Sequence, residues 1–275
     1  MRTTKAYKFV SLAVVAGLLS IGFSSCTGKS DKKSASRATE ETIKKEIEEY
    51  AYPLPSAFEV TNMLNEIEAS YIAGISNDPG KADSYFSDKN KAENLGVYSA
   101  DLAYATTYNQ KPEVQSFFKA CETLVRGLDF TAAFDENLPD RIEATLDNKD
   151  SLVNIVTNMF DSAYSYLNKQ GRTEVSYLVL TGTVVEGLYL TTHISENTFQ
   201  NPKLIQAILF QKEPLQKLQG MMEKFKDSDM TKDAYQNIAK INGIYALEEG
   251  NTSMTEAQVE KLTETLTEIR NNIVK

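Results

Sequence analysis

The stretch TEVSYLVLTGTVVEGLYLTTHIS, residues 173–195, decides between helix and sheet. It is apolar nearly all round, and it lacks the flanking turns that would divide it into several short strands. At this length it reads as one helix covered on most sides. No other stretch alternates convincingly between apolar and polar residues, so an all-α architecture follows.

The same test finds further helices on either side. Residues 56–75 carry Val60, Met63, Leu64, Ile67, Tyr71 and Ile75 at spacings of three and four, one continuous stripe. Ser56 and Glu59 form a capping-box pair ahead of it, and NDPGK at 77–81 supplies its stop. Helices are expected over 90–108, over 112–128 with Pro112 in its first turn, and over 139–147. Another spans 151–168, led by Asp150. Pro214 predicts a kink or two abutting helices within 202–225. Residues 230–246 repeat the stripe. The last helix starts at a Thr255/Gln258 capping box, and its thin seam of Val259, Leu262, Leu266, Ile269 and Ile273 predicts a lid with one face in water. The expected fold is a bundle of about eight to nine helices.

Two blocks echo each other. DLAYATTY at 101–108 aligns with EGLYLTTH at 186–193, and a proline-led helix follows each, PEVQSFF at 112 and PKLIQAI at 202. EASY at 68–71 similarly faces DSAY at 161–164. A duplication makes 90–108 and 173–195 equivalent inner helices, with halves at 50–147 and 148–275. The alternative is chance similarity between amphipathic helices. Gly96, Ala100, Ala103 and Thr107 present a small-residue face, and Gly182 and Gly187 thin the second helix. Glycine gives up roughly 1 kcal/mol of helix propensity relative to alanine, which a close helix contact or a ligand against the backbone would offset.

The echo supplies the candidate site. Asp101 and Glu186 are acids on equivalent helices, accompanied by Tyr104, Tyr108, Tyr189 and His193. Three readings are open. Asp101 and Glu186 could act as acid and base in glycoside cleavage, with carboxyls ~5–9 Å apart and His193 assisting. Tyr104, Tyr108 and Tyr189 could line a small-ligand or peptide site. The simplest reading is a polar packing network in which a tyrosine or threonine hydroxyl satisfies each buried acid. His193 then serves as a helix-end residue near terminal carbonyls. Cys121 reads as a packed thiol, with no histidine or basic partner to activate it.

Composition removes other chemistries. The chain has 275 residues, one histidine, two cysteines and no tryptophan. That excludes covalent haem, His- or Cys-rich zinc sites and a di-iron bundle, which needs two Glu-x-x-His motifs. SNDPGKAD and DNKDS lack the twelve-residue calcium-loop pattern. No metal and no cofactor are expected. SSCTGKS at 24–30 is not a phosphate loop, because the required early glycine falls on Phe23.

That stretch has a better reading. Arg2, Lys5 and Lys8 precede an apolar run over 9–23, too short to span a bilayer, and small residues then lead to Cys26. FSSC at 23–26 resembles the lipobox of bacterial lipoproteins, in the looser form common in Bacteroidota. Phe23 departs from the leucine preferred three places before the cysteine. The resemblance covers residues 1–26 only. It implies a leader over 1–25 that is removed and a Cys26 that becomes an acylated N-terminus, with enough chains for stable anchoring. The Lys29/Lys32/Lys33 cluster in place of an acidic run favours an outer-membrane anchor facing the periplasm.

Residues 26–40 are expected to form a solvated tether, and 41–275 the helical domain. Without the leader, 26 basic groups face 38 acidic ones, a formal charge of −12, which argues against nucleic acid. The function expected is that of a non-enzymatic envelope lipoprotein binding a protein partner or a small ligand, with the glycoside-type hydrolase as alternative.

Overall fold

Residues Thr173–His193 form a single helix, and nearly all of its side chains are buried. The structure, a computed structural model, describes residues 57–195, 198–246 and 253–275. The leader, Cys26, the tether and Ser56 lie outside the described residues. All described residues belong to one compact unit, Ile47–Lys275.

The described residues contain ten α-helices: α1 (Ala57–Glu66), α2 (Asp88–Thr107), α3 (Lys111–Gly127), α4 (Leu138–Thr145), α5 (Lys149–Lys169), α6 (Thr173–His193), α7 (Pro202–Phe210), α8 (Lys212–Met222), α9 (Lys232–Ile244) and α10 (Glu256–Ile273). The fold is an all-α bundle, consistent with two helical sub-units. The count reaches ten because 202–225 divides. Gln211 separates α7 from α8, and Pro214 sits in the first turn of α8, where a missing N–H breaks no bond.

Two inner helices organise the rest. Every residue of α2 from Ala92 to Thr107 is buried, as is most of α6. They cross at Gly96 and Gly182. A Cβ on Gly96 would stand 2.0 Å from Val179 O, and one on Gly182 would stand 1.9 Å from Glu93 O. The small-residue face is therefore a close helix contact, which outweighs the propensity lost to glycine. α3 packs on α2, while α5, α8 and α10 pack against α6.

The first helix is shorter than its apolar stripe. α1 ends in a paired-carbonyl cap: Glu68, at φ +60°, donates to Asn65 O, and Ala69 donates to Leu64 O. Ile67, Tyr71 and Ile75 still pack inward, but from turns. EASY at 68–71 is thus non-helical, while DSAY lies within α5, and this part of the proposed duplication has no structural counterpart. The same cap closes α2, α3 and α5 at Asn109, Asp129 and Gly171.

Caps define two other starts. Asn148, rather than Asp150, caps α5, its side chain accepting from Ser151 N at 3.0 Å. The Thr255/Gln258 capping box opens α10 in both directions. Among the described residues no helix is long and apolar enough to cross a membrane.

Candidate functional site

The echoed acids meet at the centre of the bundle. Asp101 on α2 and Glu186 on α6 are both wholly buried. Their partner comes from α10, as Arg270 holds Glu186 through two bonds, Nε at 2.9 Å and a terminal nitrogen at 3.0 Å. The same guanidinium donates to Ile75 O at 3.3 Å. Burial lowers the arginine's affinity for its proton, but the Glu186 bonds and charge outweigh that and hold it above its ordinary value.

Asp101 is the unusual member. Its Oδ2 accepts the Asn77 amide at 3.1 Å, whereas its buried Oδ1 meets no donor. Burial raises its pKa far above the carboxylate range, and the Glu186 charge raises it further. Ser76, Arg270 and the Asn77 amide oppose the shift without reversing it. Burial and the Glu186 charge therefore hold Asp101 toward its neutral form, the form that has a proton to offer Glu186. Burial raises Glu186 as well, opposed by Arg270 and by the bond from Asp101. The unit is one cation, one anion and one neutral acid, which removes most of the cost of burying charge.

This arrangement differs from the expected one. A guanidinium, not a tyrosine or threonine hydroxyl, satisfies Glu186. Neither carboxyl has any exposed surface, so a glycosidic oxygen has no route to them, and the hydrolase alternative gains no support from their placement.

The remaining sequence candidates divide into two groups. Tyr104 stacks on Tyr71 at a ring-centre distance of 4.8 Å, and Tyr108 lies tilted against Tyr71 at 5.6 Å. Their hydroxyls are engaged: Tyr104 accepts from Ile72 N, Tyr108 donates to Ala69 O, and Tyr71 bonds Glu113. The trio rivets the non-helical segment after α1 onto α2.

Tyr189 lies elsewhere. Its ring stacks on His193 at 4.0 Å, and the Arg270 guanidinium rests over it at 4.4 Å. His193 Nδ1 is 2.8 Å from Tyr189 O and must donate there, leaving Nε2 facing Thr267 Oγ1 at 3.1 Å. Burial, and then the Arg270 charge, lower its pKa against the opposing Tyr189 carbonyl, so the imidazole is neutral. Histidine and acids do not touch.

Sequence reasoning missed a cavity of about 460 Å³ between α2, α3, α5, α6, the first turn of α4 and the connection that precedes it. Its walls are mostly apolar, with Leu95, Phe118, Phe134, Met159, Phe160 and Leu180 prominent. None of Asp101, Glu186, His193, Tyr104, Tyr108 and Tyr189 lines it. Cys121 does, and its thiol is pushed up by burial, with the Ser99 hydroxyl opposing.

Three of the wall hydroxyls serve their own helices. Ser99 donates to Leu95 O at 2.6 Å, Ser176 to Thr173 O at 2.8 Å, and Thr183 to Val179 O at 3.0 Å. Charge gathers at the mouth, where Glu122, Asp135 and Glu136 stand with Arg126. The sequence signal for this cavity was faint: Phe117 and Phe118 lie side by side, and only Phe118 faces the void.

Among the described residues, no group of three or more His, Cys, Asp or Glu side chains stands ready to hold a metal ion. In comparisons with known proteins, no family model, no curated protein and no solved structure matches the chain.

Proposed function

We propose that this protein is a non-enzymatic, lipid-anchored envelope protein that holds a small apolar molecule in the cavity between α2, α3, α5 and α6. The cavity carries the reading. Its volume of about 460 Å³ lies within the roughly 300–1,000 Å³ common for small-molecule sites. It is about three times the ~150 Å³ apolar void that takes up benzene in an engineered protein. With the Ser99, Ser176 and Thr183 hydroxyls bonded to backbone and the walls mostly apolar, binding there draws mainly on the transfer of apolar surface from water.

The anchor rests on residues 1–26. An acylated Cys26 would tether the domain at the membrane surface, on the periplasmic side of the outer membrane, where sparingly soluble molecules partition. A small ligand is favoured over a protein partner because the cavity is concave and set between helices.

Two measurements test the parts separately. Mass spectrometry of the membrane-associated protein should find Cys26 acylated at the N-terminus, and an unmodified cysteine would remove the anchor. An uncharged solvatochromic dye should bind at a single site and be excluded by Ala163→Phe, which places a ring in the cavity. Equal binding to wild type and to a folded Ala163→Phe variant would remove the ligand site.

A further inference from the structure

Four walls of the cavity are tied to one another, and the remaining side is not. α2 and α6 are locked at Gly96 and Gly182, where Thr183 also donates to Gly96 O at 3.2 Å. α3 packs on α2, and α5 packs against α6. The segment between α3 and α5, residues 131–146, closes the remaining side with Thr131, Phe134, Leu138 and Pro139.

The polar interactions of this segment are all local. Ala133 donates to Phe130 O, Phe134 to Thr131 O, Leu138 to Asp135 O and Arg141 to Asn137 O, and Arg141 pairs with Asp135 at 3.6 Å. Among the described residues, no hydrogen bond or ion pair of 131–146 reaches beyond 130–148. Side-chain packing alone holds the segment down, through buried Leu138 and Ile142 and partly buried Phe134 and Leu146. Its two ends, by contrast, are fixed. Arg172 donates to Leu128 O at 2.6 Å ahead of the left-handed turn at Asp129, φ +55°, and Asn148 caps α5.

We infer that residues 131–146 are the gate of the cavity, swinging between Asp129 and Asn148 to admit and release the ligand. This rests on the cavity being a ligand site and adds the route by which that site exchanges. Opening the gate breaks no hydrogen bond to the body and exposes a few apolar side chains, whereas every other way in separates packed helices. A segment so weakly tied opens at a fraction of the global unfolding free energy.

Cys121 reports the opening without any ligand. It lines the cavity, is 1% exposed, and burial holds its thiol protonated, while alkylation needs the thiolate. The full chain carrying Cys26→Ser leaves Cys121 as its single thiol, and N-ethylmaleimide without denaturant is the probe. Ile142 and Leu146 anchor the segment but do not line the cavity, so shortening them loosens a gate and leaves a fixed opening as it was. Ile142→Ala should raise the alkylation rate about tenfold or more, and Leu146→Ala, at a partly buried position, should raise it less. Val259→Ala is the control, a core position on α10 away from the cavity. It should lower the melting temperature and leave the rate within about twofold.

An unchanged rate in folded Ile142→Ala and Leu146→Ala chains would overturn the gate. An equal rise in Val259→Ala would do so too, because it marks access by global unfolding. The ligand site fails separately, by absence of dye binding or by its persistence in folded Ala163→Phe, and the alkylation rates do not depend on that outcome.

Discussion

Gly96 and Gly182 pack against each other's helices in mirrored fashion. Each Cα faces the carbonyl of the residue three places before the other and the amide of the residue one place after it, Val179 and Thr183 on one side, Glu93 and Val97 on the other. The crossing therefore has local two-fold character. It pairs 96 with 182, a separation one residue longer than that between Asp101 and Glu186. The two acids consequently stand differently about the crossing, and only Glu186 receives the arginine.

Alanine at either glycine should be severely destabilising. The added methyl would overlap backbone that cannot rotate away, and overpacking of this kind costs about 3 kcal/mol or more, beyond the ~1 kcal/mol gained in helix propensity. Gly220→Ala is the control, since nothing lies within 4 Å of its added Cβ. Thermal unfolding should show a large fall for Gly96→Ala and Gly182→Ala, and a small rise for Gly220→Ala. Similar melting temperatures for all three would contradict the crossing.

Removing the guanidinium should hurt more than neutralising its partner. Arg270→Met strands an ionised Glu186 beside Asp101, at a cost of about 3–5 kcal/mol. Glu186→Gln keeps the shape and some of the hydrogen bonding, at about 1–3 kcal/mol. The double variant should be less destabilised than the sum of the two, because a neutral amide at that position needs no cation. Denaturant unfolding of the four chains measures that coupling, and strict additivity would show that the pair is not coupled.

Asp101 as a neutral acid makes an asymmetric prediction. Asp101→Asn preserves both an acceptor for the Asn77 amide and a donor for Glu186, so it should change stability by less than about 1 kcal/mol at neutral pH. Asp101→Ala loses both, leaves a cavity and should cost about 2–4 kcal/mol. If Asn proves as damaging as Ala, Asp101 is not the donor.

Glu93 should give stability a measurable pH slope. Burial raises its pKa from 4.5 to about 7, with Lys89 opposing and Asp233 of α9 adding to the shift. The folded state thus holds this proton more tightly than the unfolded chain. The contribution is fully present below about pH 4.5 and is lost as pH rises through about 7. Glu93→Gln should remove a fall on the order of 2–3 kcal/mol between those limits. The slope is read as the wild-type minus variant difference in unfolding free energy, and a flat difference would count against the burial of that charge.

Asn148→Ala should cost about 1 kcal/mol, the usual value of a lost N-cap, and Asp150→Ala distinctly less. Thermal melts of the two variants decide between them.

Much of the helical layout was legible in local sequence because its causes are local. The capping box at Thr255, proline in the first turn of α3 and the division near Pro214 each act within a few residues. The early stop of α1 was not legible, because its apolar stripe continues unbroken past Glu68. Whether Ile67, Tyr71 and Ile75 reach the core from a helix or from turns depends on the surface they meet. Tyr104 and Tyr108 supply that surface.

The echo at 101–108 and 186–193 correctly pointed to two inner helices and a buried pair of acids. Arg270 was invisible to the same reasoning, since on α10 it follows the apolar Ile269 and has the look of a boundary charge. Only the docking of α10 onto α6 brings it to Glu186.

Helical identity, most helix limits and the burial of α2 and α6 are written in the order of residues, because side-chain periodicity and backbone caps act within one or two turns. The pairing of Arg270 with Glu186, the protonation of Asp101 and the cavity beside Cys121 arise only when the helices dock. An ion pair across 84 residues and a space that six elements leave unfilled are properties of how helices meet, and no single segment encodes them.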